Sequence, residues 1–316
     1  MFNELFLAFW NVENLFDTET AERPGKIKQM IEKDIVGWDT AMLAVKLKQL
    51  SKVISSMNSG KGPDILGLCE IENRNVLVKL TEQIRKDIGR SYSIAHADTS
   101  DNRGIDVAFI YDSTIATASE MFQHWVVKRY PTRELFQVNF IIDKKTLVLI
   151  GNHWPSRTSG QYESEPYRMM AGETLSYWIE QIQVKLGDDV GIIVMGDFND
   201  EPFNRSITEY ALATNNSQSV LNQQDLLLNL MWPILASGLG SHVYNGRWNL
   251  LDQIMVNRAV VNRASGWRLS AAPRIEATKI MSRSDGVGPR RFGFKPKERD
   301  KDGFSDHYPV SITLKK

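Results

Sequence analysis

Seven short runs of almost unbroken apolar residues recur along the chain: 5–12 "LFLAFWNV", 64–71 "DILGLCEI", 105–111 "IDVAFIY", 135–142 "LFQVNFII", 146–154 "TLVLIGNHW", 190–198 "VGIIVMGDF" and 251–257 "LDQIMVN". The tail from Tyr308 is one more. All are short and rich in Val, Ile, Phe and Leu, which predicts strands. A strand with one wet face alternates apolar and polar residues. These are apolar at nearly every position, so both faces must be covered, by helices or by a second sheet. Helical spacing between the runs supplies such layers. Residues 39–57 place Met42, Val45, Leu50, Val53 and Ile54 near one face with Asp39 as N-cap, and 75–88 and 165–185 read similarly. The polar stretches 211–224 and 283–303 read as loops.

With 316 residues, 42% of them apolar, the chain can bury a large core, and length alone suggests two domains. Lys plus Arg equals Asp plus Glu, 38 each, so no global field marks a binder of nucleic acid or membranes. A local patch is present: Arg283, Arg290, Arg291, Lys295, Lys297, Arg299 and Lys301 stand against three acidic residues over 283–301. One cysteine excludes an internal disulfide and a Cys-based zinc site. The N-terminus carries Asn3 and Glu4 and no basic region, so it does not read as a signal peptide. The expectation is a cytoplasmic protein, or a secreted one if a leader has been removed. No apolar run is long enough to anchor the chain in a membrane.

The ends of the apolar runs carry the chemistry. The first run closes on Asn11 and Glu13, two apart and so expected on one face of the strand. The second closes on Glu70 and Glu72, the fifth on His153, and the sixth on Asp197 and Asn199. Asp252 lies inside "WNLLDQIMV", where a buried carboxylate needs a partner. Asp306 and His307 stand at the mouth of the last strand. Carboxylate and amide oxygens suit a hard cation such as Mg²⁺. An Asp that holds a His makes an acid–base pair. Together they equip a site for metal-assisted attack of water on a phosphate ester. A serine hydrolase is disfavoured, because Ser305 and His307 are neighbours on one strand and no Gly-x-Ser-x-Gly elbow occurs. Phosphate-binding and dinucleotide glycine loops are lacking as well.

In order, "FWNVEN", "LCEIEN", "GNHWPSR", "GDFND", "LLDQIMV" and "SDHYPV" resemble the endonuclease/exonuclease/phosphatase superfamily, the deoxyribonuclease-like fold. "NHWPSR" followed by "SEPYR" further resembles its branch of predicted bacterial extracellular nucleases. The motifs span residues 9 to 310, which implies a single domain over 1–316. The implied fold is α/β (strictly α+β), a four-layer β-sandwich of two mixed sheets flanked by helices, with the site at one edge. The resemblance implies Glu70 as principal metal ligand, with Asn11 and Asp306 on the metal side, and Mg²⁺ as cofactor with Mn²⁺ or Ca²⁺ as substitutes. It implies His307 as catalytic histidine, Asp252 as its orienting carboxylate, Asp197 and Asn199 at the attacked phosphate and nucleophile, and His153 at the leaving oxygen. Arg103, Arg157 and Arg168 are candidates to bind substrate phosphate, Arg157 and Arg168 through bidentate hydrogen bonds. The roles of Glu13 and Asp106 are left open. The expected partner is nucleic acid, DNA before RNA, acting as substrate. The alternatives are a small-molecule or lipid phosphate ester and, more remotely, an inactive binding module on the same fold. No protein partner is implied.

Overall fold

The computed structural model describes residues 4–128 and 131–316; Asn3, used above in reading the N-terminus, lies outside them. In chain order its strands are β1 (Glu4–Leu15), β2 (Ile65–Ile71), β3 (Ser93–His96), β4 (Asp106–Tyr111), β5 (Thr117–His124), β6 (Leu135–Ile142), β7 (Lys145–His153) and β8 (Gly191–Asp197). The short β9 (Ala213–Thr214), β10 (Leu227–Asn229), β11 (His242–Tyr244) and β12 (Arg247–Asn249) follow. Then come β13 (Asp252–Val256), β14 (Arg268–Leu269), β15 (Arg274–Ile275) and β16 (Val310–Lys315). The layering helices are α1 (Gly25–Ile31), α2 (Thr40–Gly60), α3 (Arg74–Ile88) and α4 (Gln161–Leu186). None is long and apolar enough to cross a membrane.

Every apolar run of the sequence became a strand. They form two mixed sheets, one ordered β14-β16-β1-β2-β4-β3 with β15 paired to β16, the other β5-β6-β7-β8-β13-β10-β9. The pairs β1/β2 and β7/β8 are parallel, while β16/β1 and β8/β13 are antiparallel. Alternate residues of β1 serve different layers. Leu5, Leu7 and Phe9 pack between the sheets with Phe109, Phe140 and Met195, whereas Phe6, Ala8 and Trp10 pack with residues of α2 and α3. Helix α4 covers the outer face of the second sheet through Ala171, Leu175 and Ile179. The result is helix, sheet, sheet, helix, the four-layer sandwich expected. Burying each such Leu, Ile or Phe contributes about 1.5–3 kcal/mol, which is why unbroken apolar runs select doubly covered strands.

Two local expectations need correction. The buried face of α2 is Leu43, Lys46, Leu47, Leu50, Val53, Ile54 and Met57, so the expected face is rotated and Met42 and Val45 are only partly buried. Asp39 does cap it, its side chain accepting from Met42 N at 2.8 Å. The supposed loop 211–224 contains β9 and a short helix, Ser217–Asn222. Strand β5 left no apolar run because much of its side-chain surface faces solvent at the sheet edge.

Close approach of β7 and β8 positions the site. A Cβ on Gly196 would lie 2.4 Å from the Asn152 carbonyl oxygen and 2.5 Å from its Cβ. Backbone, not a flexible side chain, blocks it. Gly196→Ala is therefore expected to cost about 1–3 kcal/mol of unfolding free energy, as overpacking does. Urea denaturation measures this, and a change below about 0.5 kcal/mol, the range of an ordinary surface substitution, would rule out that spacing constraint.

Candidate active site

Strand register builds the centre of the site. Asp197 at the end of β8 is paired with His153 at the end of β7 on one side and with Asp252 at the start of β13 on the other. Adjacent strands lie about 4.8 Å apart, so a histidine and two carboxylates stand in one row across the second sheet. The first sheet supplies the opposite wall. Asn11 donates its amide to Asp197 Oδ2 at 3.0 Å, and Glu70 Oε1 lies 3.8 Å from His153 Nε2. His307 precedes β16, and its Nδ1 donates to Asp252 Oδ2 at 2.6 Å while Nε2 lies 3.9 Å from Asp197 Oδ2. Ser305 is structural: its hydroxyl donates to Asn11 O at 2.6 Å and accepts from His307 N at 3.1 Å. Asn199 donates its backbone N–H to Asp197 Oδ1 and its amide to Trp154 O. Thus Asn11, Glu70, His153, Asp197, Asn199, Asp252 and His307 converge from positions up to 296 residues apart.

The two histidines sit in opposite fields. Burial works against charge on His307, but the carboxylates of Asp252 and Asp197 outweigh it and hold its pKa well above the ordinary value. Burial, aided by the charges of Arg133, Arg103 and His307, holds His153 well below it, so this ring is neutral near pH 7. Asp197 is pushed up to about 7, chiefly by burial and further by the Asp252 carboxylate, against the pull of His307 and the hydrogen bonds from Asn199 and Asn11. One charged ring, one neutral ring and a carboxyl near 7 give the site a proton donor and a proton acceptor together.

Strand ends do not keep simple alternation here. Glu13, Asn14, Glu70 and Asn199 all have left-handed backbones, with φ between 51° and 64°. Such residues turn side chains off the pleat, at about 1–3 kcal/mol each, and they cluster at functional sites. Hence Glu13 does not share Asn11's partners. It accepts from Arg291 Nε at 2.8 Å and from the backbone N–H groups of Phe292 and Gly293. Glu72 likewise parts from Glu70 and pairs with Arg23.

Arg168 is not a phosphate clamp. It is fully buried, with Nε 2.7 Å from Asp200 Oδ2 in an ionic contact off the N–H direction, while its other nitrogens donate to Ser164 Oγ and Gln161 O. Arg157 serves the same loop, donating to Asn199 O at 2.6 Å and to Asp200 Oδ1 at 3.1 Å. Both arginines hold "GDFND" in place, because a buried Asp200 must be paired. Arg103 differs. Its side chain is 37% exposed, its nearest carboxylate oxygen is 3.9 Å away, and its charge reaches His153. Asp106 is committed to His96 Nε2 and to Thr99, and so orders the loop that carries Arg103.

Three side chains at the site were missed. Lys46 crosses from α2, fully buried, to donate to Phe304 O at 2.7 Å; burial lowers its pKa to about 8 against the charges of Glu13, Asp306 and Glu70. A lysine on an apolar helix stripe was the signal available. His242, on the β11–β12 hairpin, packs its ring 4.6 Å from that of His307, and no periodicity points to it. Asn14, whose backbone N–H donates to Glu70 Oε2 at 2.8 Å, has a buried side-chain oxygen without a hydrogen-bond partner. That unpaired oxygen, the carboxylates of Glu70 and Asp306 and the Asn11 amide oxygen are the kinds of donor that fit a hard divalent cation.

A family model described as "Endonuclease/Exonuclease/phosphatase family" matches residues 6–316. Comparison with curated proteins found no match. Among solved structures, the chain is similar to a truncated TDP2 of Caenorhabditis elegans, at 13% identity over 99% of this chain and 98% of that one, TM-score 0.60. It is similar to an endonuclease/exonuclease/phosphatase family protein of Bacteroides thetaiotaomicron, at 14% identity over 98% and 97%, TM-score 0.57. A mannosyl-6-phosphatase of the same bacterium matches at 14% identity over 98% and 99%, TM-score 0.55. At such identities these structures speak for the fold.

Proposed function

The chain belongs to the endonuclease/exonuclease/phosphatase family, and from that premise we propose that it is a divalent-metal-dependent phosphodiester hydrolase acting on DNA with little sequence preference. The observation that carries the reading is the row His153–Asp197–Asp252, with His307 bonded to Asp252 and Glu70 facing His153. In this reading Glu70, Asp306 and Asn11 hold the ion. The chemistry a divalent ion supplies there is Lewis-acid polarisation of a phosphate oxygen and neutralisation of its charge.

The protein groups divide the remaining work. Asp197, ionised above about pH 7, takes a proton from the attacking water, and the Asn199 amide orients that water. His307, charged and held by Asp252, donates Nε2–H to a phosphate oxygen as negative charge builds there. His153 stands at the leaving oxygen and hydrogen-bonds it as the bond breaks. Arg103 on the His153 side and Arg291, 48% exposed on the Asp306 side, contact flanking phosphates.

A second reading, a phosphatase or diesterase for a small ester, is favoured by one observation. The basic loop 283–301 is partly neutralised by its own and adjoining carboxylates: Arg283 pairs with Asp285, Arg290 with Asp300 and Asp302, and Lys295 with Glu298. That removes some of the cationic surface a duplex would need. Supercoiled-plasmid nicking separates the two. Nicking with Mg²⁺, abolished by EDTA and restored by Mg²⁺, is the expected result. No nicking, with metal-dependent hydrolysis of an aryl phosphate ester, would replace DNA by a small substrate. The absence of both activities would overturn the hydrolase reading.

A further inference from the structure

We propose that His242, Asp306 and His307 form a second, inhibitory cation site, selective for a borderline divalent ion such as Zn²⁺, beside the oxygen set around Glu70. The role as inhibitor rests on the hydrolase reading above; the binding does not. One ligand atom from each of the three side chains lies within 4.8 Å of the others. The site is a built one in two respects.

The first is the state of His307. Its Nδ1 is tied to the buried carboxylate of Asp252 at 2.6 Å, which leaves Nε2 as the outward nitrogen. A carboxylate that fixes one ring nitrogen while the other is presented is how metal-ligating histidines are held. The second is His242. Its Nδ1 is buried and finds no hydrogen-bond partner. A buried imidazole nitrogen left unpaired costs about 1–3 kcal/mol, and a cation or a donor from outside would relieve it. The hairpin that carries His242 is fixed against the last strand: His242 and His307 are bridged as antiparallel neighbours, and Tyr308 N donates to Ser241 O at 2.7 Å.

Donor chemistry sets the selectivity. Two imidazoles and one carboxylate suit Zn²⁺ and its neighbours, which accept four ligands, whereas Mg²⁺ prefers oxygen donors and water. Tetrahedral Zn²⁺ with bonds of about 2.0–2.1 Å places donors about 3.3 Å apart, so a small rotation of the partly exposed His242 and Asp306 closes the set, with solvent as fourth ligand. Binding displaces the Nε2 proton of His307 to solvent and removes that ring from the phosphate. It also withdraws Asp306 from the Glu70 side. Zinc at this site therefore stops turnover at saturating Mg²⁺ by occupying two groups the reaction uses.

The test is calorimetric titration of Zn²⁺ into the wild-type chain and into His242→Phe, which keeps a ring against His307 but has no nitrogen. His242→Asn serves if the Phe variant fails a circular-dichroism check of its fold. His96→Gln is included because His96, Asp98 and Asp106 form another compact group. Zinc inhibition of Mg²⁺-supported hydrolysis is measured in parallel, each rate divided by the same variant's zinc-free rate. The expected result is a single binding event in wild type that weakens about tenfold or more in His242→Phe and is unchanged in His96→Gln, with half-inhibition moving by the same factor. Equal affinity in wild type and His242→Phe, or binding lost only in His96→Gln, overturns the site. Binding that weakens without any change in inhibition overturns its inhibitory role. If no phosphate ester is hydrolysed, the hydrolase reading fails while the calorimetry still decides the site.

Discussion

Replacing His307 with asparagine lowers turnover by about 10²–10⁴-fold, the range for loss of a positioned acid–base group, with the melting temperature close to that of the unaltered chain. Asparagine is the informative choice because its amide can still donate toward Asp252, whose side chain has no exposed surface. Alanine is expected to lose activity equally and stability as well. It strips the one hydrogen-bond donor from a carboxylate whose other oxygen already has none. Breaking a buried charge pair from one side costs about 3–5 kcal/mol unless the survivor takes up a proton. His153→Ala is expected to cost turnover in the same range, its ring lying 3.8 Å from both Glu70 and Asp197. Single-turnover rates and thermal melts on the same preparations decide the matter. Activity within tenfold of wild type for both His307→Asn and His153→Ala would remove these residues from the chemistry.

Arg168→Met is expected to destabilise the protein by about 3 kcal/mol, the low end of the range for a broken buried pair. The low end applies because Asp200 keeps Arg157 at 3.1 Å and the Ser206 hydroxyl at 2.6 Å. Methionine fills much of the space of the arginine stem without its charge. Adding Asp200→Asn to Arg168→Met should return part of the loss, since the double change no longer buries an unpaired charge. Urea unfolding of the two variants gives both numbers. The outcome also separates a structural arginine from a substrate clamp: a clamp would raise KM and leave stability alone. A stable Arg168→Met with a raised KM would therefore reverse the assignment made from its burial.

These two residues mark where the reading of the chain was sufficient and where it was not. The contact of His307 with Asp252 was legible because Asp252 is a carboxylate inside an apolar strand and Asp306–His307 opens another, and such polar exceptions in apolar runs have few explanations. Arg168 was misread because it follows a motif and carries a charge, and a linear pattern holds nothing about depth. Its partner, Asp200, lies 32 residues away across a layer. The expectation that Glu13 shares a face with Asn11 failed differently. It was made by alternation, and Glu13 sits in left-handed backbone where alternation no longer holds.

The amino-acid sequence by itself determined the long apolar strands, the cap Asp39 on α2, the doubly covered sheets and the identity of the polar residues at the ends of those strands. These follow from local rules, hydrophobic burial and backbone sterics, that act over a few residues. Only the tertiary structure decided the row His153–Asp197–Asp252, the reach of Lys46 from α2, the packing of His242 on His307 and the pairing of both arginines with Asp200. Each of these depends on strand register and on which groups are left without water. Burial, register and charge pairing between distant segments are properties of the assembled sandwich, and they come into being only when its layers close.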